Sequence, residues 1–300
     1  MSDAFFITAL GTPLTEEETL HVEGITRHIE DQWAHGIHGV LAGGTMGMMQ
    51  LLPDDVYRDL VKHASEVGRG QGEVMVGVGD TSFGRTRDRI KLVNEYDVDG
   101  VVVLTPYLVP FSEAELLEYF KALADVSKAP VYLYDLPQLA GIKLSTELIL
   151  SAAEHPNIEG VKCSGEPNAT RDLIDKVGDT FRVIIAQPCL VDVLLQGGIM
   201  QHLDGLYGLY PPWLTQIGEY GANGEWDKAA AVQKKLTHAT MLLRQMPVLQ
   251  SFSAVMNERG IPGHFAPRPF APLSEEDREK VLDDPIIREV LAATPAAVPA

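Results

Sequence analysis

Eight short apolar runs, rich in β-branched residues, recur through the first 211 residues and limit the possible folds most strongly. They are FFITAL (5–10), HGVLAGG (38–44), EVMVGVG (73–79), DGVVVLTP (99–106), PVYLYDLP (130–137), IEGVKCSG (158–165), FRVIIAQP (181–188) and DGLYGLYP (204–211). The runs lack the apolar–polar alternation of a half-exposed sheet, which indicates strands buried on both faces. Segments with helical spacing of apolar residues separate most of them, as in residues 112–126.

Eight successive strand–helix units predict a (β/α)8 TIM barrel. A doubly wound parallel sheet is the alternative, but such sheets usually carry a nucleotide site, and GVGDTSFG (77–84) is a poor match to the Gly-rich fingerprint. Ser112, Ser145 and Asn168 precede helical runs and are predicted helix N-caps.

The pattern changes after residue 212, where no further strand-like runs occur and helical spacing continues. Residues 226–246 form a long helical run, a Pro-rich segment covers 261–273, and a short helix is expected over 275–284. We therefore expect a barrel over residues 1–225 and a C-terminal helical extension over 226–300 that packs on the barrel.

Charge and composition exclude several classes of partner. The chain has 24 basic and 42 acidic residues, a formal net charge of −18, which disfavours binding to nucleic acid or anionic membranes. No apolar run approaches the roughly 18 residues of a membrane span. The two cysteines suggest no disulfide framework, and the N-terminus lacks the features of a signal peptide. We expect a cytoplasmic protein.

Candidate catalytic residues follow from the barrel rule that sites form at the carboxyl ends of the strands. Lys162 and Tyr134 end neighbouring runs at corresponding depths. A lysine in an apolar pocket loses its charge more readily and can attack a carbonyl to form an imine, while a phenol carries protons. Gly44 and Thr45 offer backbone N–H groups and a hydroxyl for a carboxylate. Together these residue types predict an imine-forming enzyme acting on a 2-oxo acid.

Ordinary alternatives exist for each residue taken alone. A lysine at a strand end is most often solvated, a tyrosine there most often packs, and GGTMG (43–47) is a common type of tight turn. Lys143 is expected to be solvated. His35 with His38, and His202 with Asp204, do not resemble a zinc-ligand set, so no metal site is expected.

Five motifs in order resemble the dihydrodipicolinate synthase/N-acetylneuraminate lyase family of class I aldolases over nearly the whole chain. They are GTP (11–13), GGTMG (43–47), TPY (105–107), YDLP (134–137) and GVKCSG (160–165). The resemblance implies that Lys162 forms the Schiff base and that Tyr134 donates and accepts protons. It further implies a homotetramer built from dimers that needs no metal or organic cofactor.

Several positions depart from the family pattern. The usual Gly-Thr-Thr-Gly-Glu loop is GTMGM at 44–48, and the usual Tyr-Asn is Tyr134-Asp135. Leu108 stands where synthases place a second tyrosine, and Leu139 where they place an arginine. These departures make the chain more similar to the branch of lyases and 2-keto-3-deoxy sugar acid aldolases than to true dihydrodipicolinate synthases.

The seventh run ends in Ala-Gln-Pro (186–188), without the acidic pair by which neuraminate lyases bind the sugar tail. We therefore expect a 2-oxo acid substrate, such as a 2-keto-3-deoxy sugar acid, cleaved to pyruvate and an aldehyde. Met46, Gln187 and Tyr207 are expected to line the specificity side of the pocket. Two alternatives stay open: a hydro-lyase that dehydrates a deoxy sugar acid through the same imine, and a non-catalytic 2-oxo acid-binding or sensing protein.

Overall fold

Eight parallel strands close into a barrel in chain order, which confirms the predicted (β/α)8 fold. The computed structural model describes residues 4–293. The first strand pairs with both the second and the eighth, and this pairing closes the sheet. The strands are β1 Phe5–Ala9, β2 Gly39–Ala42, β3 Glu73–Gly77, β4 Gly100–Leu104, β5 Val131–Asp135, β6 Ile158–Cys163, β7 Arg182–Ile185 and β8 Gln201–Asp204.

Thirteen helices accompany the strands within residues 4–293. They are α1 Val22–Ala34, α2 Asp54–Gly68, α3 Phe83–Val93, α4 Glu113–Ala124, α5 Pro137–Ala140, α6 Thr146–Ala153, α7 Pro167–Val177, α8 Val191–Gln196, α9 Pro211–Ala222, α10 Trp226–Gln245, α11 Val248–Glu258, α12 Glu275–Leu282 and α13 Pro285–Ala293.

Strand side chains are buried on both faces, which explains the missing alternation in the sequence. One set, including Ile7, Leu41 and Met75, fills the barrel interior. The neighbouring residues Val40 and Val74 belong to the separate core that also contains side chains of the surrounding helices. Because both faces are apolar, the register between strands is fixed by packing on two sides.

The predicted N-caps are right in two cases out of three. The hydroxyl oxygens of Ser112 and Ser145 accept hydrogen bonds from backbone N–H groups in the first turns of α4 and α6. The prediction of Asn168 was wrong, because α7 begins at Pro167 after Glu166. Proline favours the first helical position, where its fixed φ fits and no N–H is needed.

The eighth strand lies earlier than the sequence suggested. The predicted run was 204–211, but β8 ends at Asp204 and a short 3-10 helix spans Leu206–Leu209. β8 was not recognised in the sequence because it contains the polar residues Gln201 and His202. The His202 ring is nevertheless fully buried, with Nε2 2.9 Å from the carbonyl oxygen of Ile199.

The C-terminal helices α10–α13 follow the barrel. They share a core with residues of β1 and of the turn after β8; its buried members include Phe6, Leu236, Leu243, Phe252 and Ile287. The helix expected over 275–284 ends at Leu282 as α12, and α13 is an additional helix. The division at residue 225 stays a prediction, and residues 294–300 of the expected extension lie outside the described residues. No helix within residues 4–293 is both long and apolar enough to cross a membrane.

Candidate active site

Lys162 and Tyr134 form the centre of the site. β5 and β6 pair so that these two residues are directly opposite each other. Lys162 Nζ donates a hydrogen bond to Tyr134 Oη at 3.0 Å and lies 4.1 Å from the centroid of the ring. Each residue is only 4% exposed. The strand register therefore places a buried amine and a buried phenol in contact.

Thr45 extends this contact to the loop after β2. Its hydroxyl oxygen lies 3.3 Å from Tyr134 Oη, within hydrogen-bond distance. The loop is held from below by Thr12, whose hydroxyl donates to the carbonyl oxygen of Gly47 at 2.8 Å. A Cβ atom added at Gly47 would lie 2.9 Å from that hydroxyl oxygen, so this position needs glycine. The GTP and GGTMG motifs are thus parts of one packed unit.

A cavity of about 570 Å³ opens around these residues at the carboxyl ends of the strands. Five of the predicted site residues line it together: Thr45, Met46, Tyr134, Lys162 and Gln187. The predicted Gly44 is buried next to Thr45 and does not line the cavity. The structure therefore brings most of the predicted site into one space.

Tyr207 does not line the cavity either, and its predicted place in the pocket was wrong. Its ring is fully buried and meets the Phe6 ring edge-on, at 6.3 Å between centroids. Burial raises the pKa of its hydroxyl well above the ordinary value. Because β8 ends earlier than predicted, the 3-10 helix after it turns Tyr207 into the core shared with the C-terminal helices.

Asp204, the true end of β8, lines the cavity in place of Tyr207. Its carboxylate accepts a hydrogen bond from the Leu206 N–H at 2.9 Å. Burial raises the pKa of Asp204, and the positive charges of Lys162 and Arg244 oppose this shift. An acidic residue at the carboxyl end of a strand is a signal that the sequence contains. It was missed because the eighth strand was predicted to begin at residue 204, where β8 in fact ends.

Arg244 is the second charged lining residue that the sequence did not predict. It lies in the last turn of α10, and Val248 and Leu249 at the start of α11 line the same wall. The rule that barrel sites form at strand ends considers only residues at those ends, so it cannot predict a site residue on a C-terminal helix. The cavity therefore combines strand-end residues with one wall from the extension.

Asp135 occupies the position after Tyr134 and is 1% exposed. Its carboxylate accepts hydrogen bonds from Lys143 Nζ at 2.5 Å and from the Leu144 N–H at 3.0 Å. Lys143, which was expected to be solvated, is half-exposed and forms an ion pair with Asp135. The Asp135 carbonyl also accepts from the Ser164 N–H at 3.0 Å. Asp135 thus joins the end of β5 to the end of β6.

Metal ligands do not converge in the described part of the chain: no three His, Cys, Asp or Glu side chains within residues 4–293 are grouped as a metal site. The polar side chains that line the cavity carry an amine, a phenol, two aliphatic hydroxyls, two amides, one carboxylate and one guanidinium. An amine in contact with a phenol can attack a carbonyl carbon and exchange protons with the reacting oxygens. The fold and this site define an aldolase-type enzyme, a carbon–carbon lyase.

The chain belongs to the dihydrodipicolinate synthetase family, whose model matches residues 4–285. It is 28% identical over 285 residues to the 4-hydroxy-tetrahydrodipicolinate synthase of Exiguobacterium sp., covering 92% of this chain and 94% of the relative. The prophage protein YagE of E. coli K12, a member of the dihydrodipicolinic acid synthase family solved with pyruvate, has a similar fold. The TM-score is 0.88 at 22% identity, covering 96% of this chain and 98% of the other.

The N-acetylneuraminate lyase of Mycoplasma synoviae also has this fold, with a TM-score of 0.86 at 20% identity and 97% coverage of both chains. Identity at this level shows the fold alone. One similar protein is named a synthase and another a lyase, so the expected position in the lyase branch stays a prediction.

Proposed function

We propose that this protein is a class I aldolase that binds a 2-oxo acid as an imine on Lys162, with Tyr134 as proton donor and acceptor. The observation that carries the proposal is the 3.0 Å contact between the buried Lys162 Nζ and Tyr134 Oη. Burial supports it further, because both side chains are only 4% exposed and contact each other instead of bulk water.

Imine formation begins with attack of the Lys162 amine on the C2 carbonyl of the 2-oxo acid. Tyr134 gives a proton to the oxygen, which leaves as water, and the C=N bond forms. Thr45 and the loop from residue 44 to 46 are proposed to hold the neighbouring carboxylate, since the Thr45 hydroxyl lies 3.3 Å from Tyr134 Oη.

Cleavage follows from the electron demand of the protonated imine. Tyr134 accepts the proton of the C4 hydroxyl, the C3–C4 bond breaks, and its electron pair passes into an enamine on Lys162. The aldehyde leaves, C3 of the enamine is protonated, and water hydrolyses the imine to release pyruvate and the free amine.

A 2-keto-3-deoxy sugar acid is the proposed substrate class. Met46 and Gln187 line the cavity beside the reacting pair, and Leu139 on α5 lines it without offering a charge. The second candidate is dehydration of a deoxy sugar acid through the same imine. Asp204 favours it, because its carboxyl group lines the cavity and could take part in proton transfer to a leaving hydroxyl.

Product analysis with the purified protein separates these functions. Incubation with a panel of 2-keto-3-deoxy sugar acids is expected to give pyruvate and an aldehyde in equal amounts. A dehydrated oxo acid without aldehyde would establish the hydro-lyase instead. Thermal stabilisation by oxo acids without any product would contradict both and indicate the binding protein. Lys162→Ala is the control that must abolish turnover.

Assembly into a homotetramer is also proposed. Leu108, just beyond β4, is 87% exposed with φ of 77°, and Val109 beside it is 58% exposed. A bulky residue in the left-handed region, aimed at solvent, suits a contact with another subunit. Light scattering after size exclusion is expected to give four chain masses in wild type and a smaller species in Leu108→Asp. A monomeric wild type would overturn the assembly.

A further inference from the structure

We infer that Arg244 forms an anion-binding subsite in the catalytic cavity, so that the substrate is a 2-oxo acid carrying a second anionic group, a carboxylate or a phosphate. The inference rests on the proposed function and names the chemistry of the substrate tail. It starts from the wall that α10 and α11 contribute to the cavity.

The backbone of Arg244 is held in place by packing on both sides. Leu243 on α10 is fully buried, and Leu249 on α11 is buried as well while also lining the cavity. The wall that carries the guanidinium is therefore part of the folded core, although the side chain itself reaches solvent. Substrate binding would not require this wall to form.

The guanidinium is available to a ligand. Among residues 4–293, no group lies within hydrogen-bond or ion-pair distance of the Arg244 guanidinium, although its charge acts on Asp204 from farther away. The other polar groups nearby are already engaged: Gln187 donates to the Gly165 carbonyl at 2.7 Å and Gln138 to the Ser164 carbonyl at 2.9 Å. A guanidinium presents five N–H donors in a planar fork that matches carboxylate and phosphate oxygens.

The charge balance of the cavity also favours an anion. The whole chain carries a formal net charge of −18, yet the cavity wall contains two cationic side chains, Lys162 and Arg244, and one carboxylate. That carboxylate, Asp204, accepts the Leu206 N–H, and the charges of Lys162 and Arg244 act on it without either cation reaching ion-pair distance. With Lys162 engaged at the reacting carbonyl, Arg244 is the cation that remains for the tail of the substrate.

Borohydride trapping with matched 2-oxo acids tests the subsite, because the trapping rate at low substrate concentration reports binding as well as imine formation. We would compare 2-oxoglutarate with 2-oxopentanoate, and 2-oxoadipate with 2-oxohexanoate; each pair differs in whether the tail ends in a carboxylate or a methyl group. A phosphonate-tailed arm, 2-oxo-4-phosphonobutanoate, distinguishes a phosphate site from a carboxylate site. At low salt, at least one anionic tail is expected to react about tenfold faster than its neutral partner.

Three variants decide the role of Arg244. Arg244→Gln is expected to bring the ratio of anionic to neutral rates close to one, and Arg244→Lys to keep part of the preference as a point charge. Lys234→Gln, the same charge change elsewhere on α10, is expected to keep the wild-type ratio. Equal rates for both tails in wild type, or a preference that survives in Arg244→Gln, would overturn the subsite alone. Absence of any adduct on Lys162 with all of these acids would instead overturn the proposed function, and the subsite with it.

Discussion

Lys162 Nζ donates a hydrogen bond of 3.0 Å to Tyr134 Oη, and the two residues are directly paired in the parallel register of β5 and β6. The contact is therefore fixed by the barrel itself rather than by a loop. Both side chains are buried, so few alternative positions are open to either of them. A site built on strand residues holds its reacting groups more precisely than one built on loops.

Tyr134→Phe should separate imine chemistry from packing. The substitution removes the phenol oxygen and keeps the ring, so the fold is expected to persist while kcat for oxo acid cleavage falls about 10² to 10⁴-fold. Tyr132→Phe, two residues earlier on β5 and also in the barrel interior, is the matched control and should keep kcat near wild type. Steady-state kinetics on the best substrate checks this, and equal losses in both variants would contradict a role in proton transfer.

Lys143→Met should destabilise the protein because it leaves the buried Asp135 carboxylate without its cation. Lys143 is half-exposed and water can partly replace it, so we expect a loss of about 2 kcal/mol in the free energy of unfolding. Adding Asp135→Asn should restore most of this loss, since an amide needs no counter-charge. Urea denaturation of the two single variants and the double variant measures the coupling. Additive losses would show that the pair is not coupled.

Gly47→Ala should weaken binding of the oxo acid carboxylate by displacing the loop that carries Thr45. The added Cβ would lie 2.9 Å from the Thr12 hydroxyl and 3.0 Å from the Leu10 carbonyl oxygen, closer than such atoms normally approach. We expect KM to rise about tenfold, with a smaller change in kcat. At Gly84, on α3, an added Cβ meets nothing within 4 Å, so Gly84→Ala is the control. An unchanged KM in Gly47→Ala would argue against carboxylate binding by this loop.

Stability should fall in mild acid because of buried histidines. Burial lowers the pKa of His28 to about 4, with Asp31 opposing the shift and Arg259 adding to it, and burial lowers the pKa of His202 to about 4 as well. The unfolded chain takes up these protons near pH 6.5 and the folded chain does not. The stabilising effect is therefore complete above about pH 6.5 and is lost as the pH falls towards 4.

The free energy of unfolding, measured by urea at intervals between pH 7 and pH 4, tests this expectation. Each histidine contributes at most about 3 kcal/mol to the loss across that range. His28→Leu removes one titrating group, so the slope of stability against pH should become shallower than in wild type. Identical slopes in the two proteins would contradict the assignment to His28.

The sequence predicted the barrel well because most strands are apolar on both faces. It placed Lys162 and Tyr134 in the candidate site because sites in such barrels form at the carboxyl ends of the strands. β8 was misplaced because Gln201 and His202 are polar although the strand is internal, and the error carried Tyr207 into the predicted site. The spacing of apolar residues predicts which positions are buried on the assumption that buried residues are apolar. It therefore cannot identify a buried histidine whose ring is hydrogen-bonded to a backbone carbonyl.

Two features depend on tertiary contacts that no local pattern encodes. In the sequence Lys143 cannot be told from an ordinary solvated loop residue. Its contact with Asp135 forms only when the loop is folded. Arg244 belongs to a long amphipathic helix, where an arginine in the last turn is common, and only the packing of α10 on the barrel places it at the cavity. The sequence alone thus did not predict which charged side chains, distant along the chain, come together in the fold.

Borohydride reduction in the presence of pyruvate, followed by intact-mass and peptide mass spectrometry, tests whether Lys162 forms an imine with a 2-oxo acid. We expect one reduced adduct per chain, on the peptide that carries Lys162, retained in Lys143→Met and absent in Lys162→Ala. Pyruvate is the product of the proposed cleavage, so it should form the same imine in reverse. An adduct on another lysine, or no adduct with pyruvate or any longer 2-oxo acid, would contradict the claim that Lys162 is the nucleophile.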